Sequence, residues 1–141
     1  MITINHIALV VSDIDEAQTF WVRALGLPLE RVQEIEEEAV KVAFLSAGES
    51  EIELVQPTTE ESGVARYLRR RGPGMHHLCL EVPDLEAALA RLRAEGMELI
   101  NETPRLSSSG RKYAFIHPRS TDGVLVELYQ RTSRFNDDIC H

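Results

Sequence analysis

Asn5-His6-Ile7-Ala8-Leu9-Val10-Val11-Ser12-Asp13-Ile14-Asp15-Glu16-Ala17 returns later in the same chain, with like residues in register, as His76-His77-Leu78-Cys79-Leu80-Glu81-Val82-Pro83-Asp84-Leu85-Glu86-Ala87-Ala88. The offset, from His6 to His77, is 71. It persists where Lys41-Val42-Ala43-Phe44-Leu45 is answered by Lys112-Tyr113-Ala114-Phe115-Ile116. It becomes 74 after a short insertion, where Ile52-Glu53-Leu54 is answered by Val126-Glu127-Leu128. Each half therefore carries one His and one Glu in matching places. Two imidazoles and two carboxylates at equivalent positions of a duplicated fold have the form of a four-ligand metal site between two half-barrels.

The chain of 141 residues is long enough for one globular domain with a real core, and an internal duplication favours two half-size modules sharing that core. Apolar residues make up 43% and charged residues 27%, an ordinary balance, and no apolar run approaches the roughly 20 residues of a membrane span. The N-terminal residues read as a strand rather than a signal peptide. Cys79 and Cys140 form neither a disulfide framework nor a thiolate metal motif, which suits a reducing cytoplasm. A net charge of −8 argues against nonspecific binding to nucleic acid or anionic membranes. Arg66, Arg69, Arg70 and Arg71, and again Arg105, Arg111, Lys112 and Arg119, form local basic clusters that read as solvated faces or as contacts for a phosphate-bearing small molecule.

Thr3 to Val11 is β-branched and apolar and predicts a strand. Asp13 with Glu16 resembles a capping box, and Ile14, Ala17, Trp21, Ala24 and Leu25 then recur at helical spacing until Gly26. Strands are expected at residues 29–34, 39–45 and 51–56, with an acidic turn at Glu36-Glu37-Glu38, so the first half reads βαβββ. A linker helix is expected over residues 58–73, with Val64, Tyr67 and Leu68 as its apolar stripe, ended by Gly72-Pro73-Gly74. The second half repeats the order: strand 75–82, helix 84–95, strand 98–102, a Ser-rich loop at 107–110, and strands at 112–117 and 124–130. The expectation is one α+β domain over residues 1–130, with modules at about 1–57 and 74–130 pairing into a half-open barrel that encloses one metal site. A polar tail follows at 131–141.

Strand parity tests this reading. Ile7 and Leu9, Leu78 and Leu80, Ile52 and Leu54, and Val126 and Leu128 all fall on faces that helices can cover, so His6, His77, Glu53 and Glu127 all point to the opposite, helix-free side.

The βαβββ duplication with His on the first strand and an acidic residue on the last resembles the vicinal oxygen chelate superfamily, which includes glyoxalase I, extradiol dioxygenases and bleomycin-binding proteins. Within it the chain is most similar to the methylmalonyl-CoA epimerases. The resemblance runs from Ile4 to Tyr129 and is carried by Val40-Lys41-Val42-Ala43-Phe44-Leu45, Glu51-Ile52-Glu53-Leu54, Gly74-Met75-His76-His77, His117-Pro118-Arg119-Ser120 and Gly123-Val124-Leu125-Val126-Glu127-Leu128. It implies metal ligands at His6, Glu53, His77 and Glu127, a divalent ion (cobalt first, with manganese, nickel or zinc as alternatives), an acyl-CoA substrate and a homodimer. Two imidazoles and two carboxylates suit such an ion.

The implied reaction interconverts (R)- and (S)-methylmalonyl-CoA by proton transfer through an enediolate, with Glu127 as one proton-transfer group. The alternatives are a glyoxalase I type isomerase acting on a glutathione hemithioacetal and a non-enzymatic antibiotic-binding relative. Some epimerases carry a second Glu where this chain has Val42, which transfers no proton. Lys41 points to the other face, leaving Glu36, Glu37, Glu38 or a water as candidates. His76 reads as structural or supporting rather than as a ligand, His117 as a loop residue near the ligand, and the loop at 107–110 as a candidate cradle for coenzyme A.

Overall fold

The computed structural model describes residues 1–132; the expected tail beyond them, with Cys140 and His141, lies outside the described residues. The described elements follow the order β1 (Thr3–Val10), α1 (Ile14–Gln18), β2 (Leu29–Ile35), β3 (Val40–Ala47), β4 (Ser50–Pro57), α2 (Gly63–Arg71), β5 (Gly74–Val82), α3 (Leu85–Ala94), β6 (Arg105–Leu106), β7 (Lys112–Ile116) and β8 (Val126–Gln130). The class is α+β. The chain resolves into two compact units, His6–His77 and, separately, Met1–Asn5 with the chain from Leu78 onward. The linker helix α2 thus belongs to the first of these units.

In the unit His6–His77 the strands pair in the order β2-β3-β4-β1, antiparallel except for the parallel β4/β1 pair, where Leu9 stands opposite Leu54 and Ala8 opposite Glu53. Asp13 caps α1 by accepting hydrogen bonds from the amides of Asp15 and Glu16, as its capping-box pattern predicts. The helix does not continue to Gly26 in α form. Thr19–Ala24 widens into a π turn, with the Leu25 amide bonded five residues back to Phe20 at 2.8 Å. The wider turn lets adjacent Trp21 and Val22 both join the core of Ile14, Ala43, Leu45 and Leu54, at the cost of leaving Phe20 57% exposed.

The opposite sheet face buries Val40, Val42 and Phe44 against Ile35, Val55 and Val64. Val64 comes from α2, so the side expected to be free of helices is covered at one end by the linker helix. That helix begins only at Gly63, because Ser62 is the residue whose hydroxyl caps it, through the amide of Ala65.

In the other unit the order is β5-β8-β7-β6, again with one parallel pair, β5/β8, in which Leu80 stands opposite Leu128 and Cys79 opposite Glu127. These are the β1/β4 pairings carried through the offsets of 71 and 74. The core packs Leu85, Leu89 and Leu99 with Ala114, Ile116 and Leu128, and burying Leu85 and Leu89 contributes about 1.5–3 kcal/mol each. Asp84 caps α3. The duplication reaches a device the sequence reading missed: the first helical amide of each half donates to a glutamine at the end of the closing strand, Ile14 to Gln56 at 2.9 Å and Leu85 to Gln130 at 2.6 Å.

The second half departs from the first at residues 98–102, which form no strand. Leu99 makes a single bridge to Ile116. The amide of Phe115 is taken by the Asn101 side chain at 2.8 Å, so the backbone ladder stops there, and only the two-residue β6 forms further on.

Candidate metal centre

The unit His6–His77 brings three of the four expected ligands together. His6, on β1, is buried, on the strand face it shares with the buried Ala8 and Val10. Its Nδ1 lies 2.9 Å from Oε2 of Glu53 on β4, and its Nε2 lies 3.1 Å from Nε2 of His77 on β5. His77 Nδ1 in turn lies 2.9 Å from Nδ1 of His76. An ionised Glu53 only accepts, so His6 donates from Nδ1. For neutral rings this fixes the remaining directions: His77 donates from Nε2 to His6, and His76 donates from Nδ1 to His77. Four side chains thus form one directional chain. Strand parity holds here, since Leu9, Ile52 and Leu54 lie in the helix-side core while His6 and Glu53 meet on the other face.

Glu51 shares that face, two residues before Glu53 and in register with His6. Its Oε2 is buried without a hydrogen-bond partner among the described residues, a loss of about 1–3 kcal/mol for a polar group taken from water. Val42, in the place of the second Glu of some epimerases, is 2% exposed inside the apolar cluster under α2. Glu36, Glu37 and Glu38 lie on an exposed turn closed by Ala39 at φ +54°.

Glu127 belongs to the other unit, on β8, where it is buried with Cys79 and Phe115 as its strand neighbours. Glu53 stands between Ala8 and Phe44 in the same way. The basic clusters are largely occupied within their own units. Arg66 and Arg69 donate to the Glu61 and Glu60 carbonyls. Arg119 pairs with Glu98, and Lys112 with Glu86, each at 3.3 Å and exposed, where ion pairs contribute about 0–1 kcal/mol. Arg111 pairs closely with Glu81 and lies over the Tyr129 ring at 4.7 Å. Burial pushes the Glu81 carboxyl up, but hydrogen bonds from Arg111 and Asn5 and the charges of Arg111 and Arg131 outweigh it, leaving it below the ordinary glutamate value. His117 caps the turn Pro118–Ser120 by accepting the Arg119 amide at 3.0 Å, and Ser107 accepts the Arg111 amide at 3.0 Å. Both are structural roles.

The sequence profile of the glyoxalase/bleomycin resistance protein/dioxygenase superfamily matches residues 5–115. The chain belongs to this superfamily. Among its relatives, an uncharacterized protein of Bacillus subtilis, YqjC, is 39% identical over 89% of this chain and 89% of its own length. Human mitochondrial methylmalonyl-CoA epimerase is 33% identical over 90% of this chain and 73% of its own. The structure of a single-substitution variant of Streptomyces coelicolor methylmalonyl-CoA epimerase in complex with 2-nitronate-propionyl-CoA superposes with a TM-score of 0.82, at 30% identity, covering 93% of this chain and 95% of that one. The superfamily resemblance read from the repeat is therefore correct, and so is the vicinal oxygen chelate fold.

For this superfamily member the sequence supplied the His and Glu positions but not the supporting contacts. Glu51, the Tyr67 contact with His76 and the Glu81–Arg111 pair carry no repeat signature, since their counterparts across the duplication are Leu125, none, and Val10.

Proposed function

We propose that this protein is a metal-dependent epimerase that interconverts (R)- and (S)-methylmalonyl-CoA, with a divalent ion held by His6, His77 and Glu127, and with Glu53 behind His6 rather than on the ion. The observation that carries the reading is the approach of the two imidazoles, Nε2 to Nε2 at 3.1 Å. Two nitrogens bound at right angles, each about 2.1 Å from an ion, stand about 3.0 Å apart. The residues fit such an ion in two further respects. Glu53 accepts from the other nitrogen of His6, as a carboxylate behind a ligating imidazole does, and the unpartnered Glu51 oxygen adds negative potential to the same face. Glu127 joins the two imidazoles as the third possible ligand.

A divalent ion there would act as a Lewis acid, stabilising the charge that develops when the carbon between thioester and carboxylate loses its proton. Glu127 takes that proton, and its burial keeps competing water from the carboxylate. His6 and His77 hold fixed ring orientations through Glu53 and His76, and so need no rearrangement during turnover. Inversion requires a second proton-transfer group on the opposite face, and Val42 does not supply it. Binding of an acyl-CoA nitronate by the Streptomyces coelicolor epimerase supports an acyl-CoA substrate, because a nitronate is a planar anion resembling the deprotonated carbon. The proposal includes a cytoplasmic homodimer, with cobalt as the first candidate ion. Among the described residues no helix is long and apolar enough to cross a membrane.

In heavy water, protein and methylmalonyl-CoA should place deuterium at the acidic carbon, and a chelator should stop this until metal is restored. Absence of exchange with metal present, or turnover of a glutathione hemithioacetal in its place, overturns the reading.

A further inference from the structure

We infer that His76 is a positioning residue for His77, braced by the linker helix, so that α2 supports the metal centre from outside the duplicated modules. The inference rests on the proposed metal reading. The duplication leaves His76 unexplained: its counterpart in the first half is Asn5, which donates to Glu81 at 2.8 Å. The His76 Nδ1 stands 2.9 Å from Nδ1 of His77, the nitrogen facing away from His6.

The His76 ring is itself held. The Tyr67 ring meets it edge to face with centroids 4.8 Å apart, and the Tyr67 hydroxyl donates to the Met75 carbonyl at 2.6 Å, one residue before His76. Arg71 lies over the tyrosine ring, 5.3 Å from its centre. Gly72, at φ +74°, ends α2 and lets the chain reverse into β5, which brings Tyr67 back against His76. The row Arg71, Tyr67, His76, His77 therefore connects the helix to the imidazole pair.

A ligating imidazole needs an acceptor for its second ring proton, which fixes its tautomer and orientation. Glu53 serves His6 in this way, and His76 is the neighbour at the corresponding nitrogen of His77. In the metal-free protein the hydrogen bond runs from His76 to His77. When His77 gives its Nε2 lone pair to an ion, its proton sits on Nδ1 and the same 2.9 Å contact runs the other way, with His76 in its other tautomer.

The test is a Co2+ titration of the metal-free full chain, followed by visible d–d absorption, for wild type, His76→Phe and His76→Asn, with the thermal midpoint of each metal-free protein measured alongside. Phenylalanine keeps the ring against Tyr67 without a nitrogen; asparagine places a polar atom near the Nδ1 position without the ring. His76→Phe should weaken Co2+ binding about 10–100-fold with little change in the metal-free midpoint, and His76→Asn should recover more than half of that loss on a logarithmic scale. Wild-type affinity in His76→Phe, or His76→Asn no better than His76→Phe, overturns the inference. A wild type that binds no Co2+ overturns instead the metal reading on which it rests.

Discussion

Val42→Glu tests whether the face that carries His6 and Glu53 is sealed where the family sometimes places a second carboxylate. Val42 is 2% exposed and packed with Val40 and Phe44, beneath Ile35, Val55 and Val64. None of these offers a hydrogen bond or a charge. A glutamate there meets two penalties that separate by pH. The first is steric, about 1–3 kcal/mol for overpacking, and does not depend on pH. The second is desolvation of the carboxylate, which raises the folded-state pKa; fully buried glutamates reach about 8–9. The folded state then binds more protons than the unfolded chain between about pH 4.3 and that raised value, so stability falls as pH rises, by about 1.4 kcal/mol per pH unit. Between about pH 4.3 and pH 7 the loss comes to about 4 kcal/mol. Urea denaturation of Val42→Glu and Val42→Gln at pH 5 and pH 7 measures it, the amide supplying the steric control. The two variants should be close at pH 5, and Glu should be less stable than Gln by about 3 kcal/mol more at pH 7 than at pH 5. Equal stability of the two at both pH values would refute the sealed apolar cluster and reopen position 42 to a proton-transfer group.

Glu127→Gln should reduce deuterium exchange at the acidic carbon by about 10²–10⁴-fold, the usual contribution of a positioned base, and retained full exchange removes Glu127 from the mechanism. Glu81 has a lowered folded-state pKa, so its network with Arg111, Asn5 and Arg131 contributes stability that is present above the ordinary glutamate pKa, near 4.5, and lost as pH falls through the lowered value. Glu81→Gln should therefore lower stability at neutral pH more than at pH 3, as followed by circular dichroism; a pH-independent difference would contradict the assignment. Gln130→Ala removes the acceptor of the Leu85 amide and the donor to the Pro83 carbonyl, and should cost about 1–2 kcal/mol, against about 1 kcal/mol for Gln56→Ala. The thermal midpoint checks both, and no loss in either variant would mean that water replaces these caps.

The repeat made much of this protein legible in one dimension. Parity placed Leu9, Ile52 and Leu54 under α1 and turned His6 and Glu53 the other way because a strand has a period of two whatever surrounds it. Register within the repeat selected His77 over His76, and Asp13 and Asp84 announced their helices through local capping that needs only neighbouring amides. The misreadings have a common origin in contacts from distant residues. The π turn at Thr19–Ala24 arises because both Trp21 and Val22 find room in the core. The missing strand at residues 98–102 follows from one side-chain amide, that of Asn101, taking a backbone proton the ladder needed.

By itself, then, the sequence determined the superfamily, the duplicated α+β plan and the matching His and Glu positions of the two halves, since these rest on periodicity and repetition along the chain. Only the tertiary structure decided that Val42 is buried beneath α2, that His76 faces the outer nitrogen of His77, and that Arg111 pairs with Glu81 instead of standing free for a phosphate. Those outcomes depend on which side chains from distant segments fill the same space. Packing is settled by three-dimensional proximity, and no pattern along the chain encodes it locally.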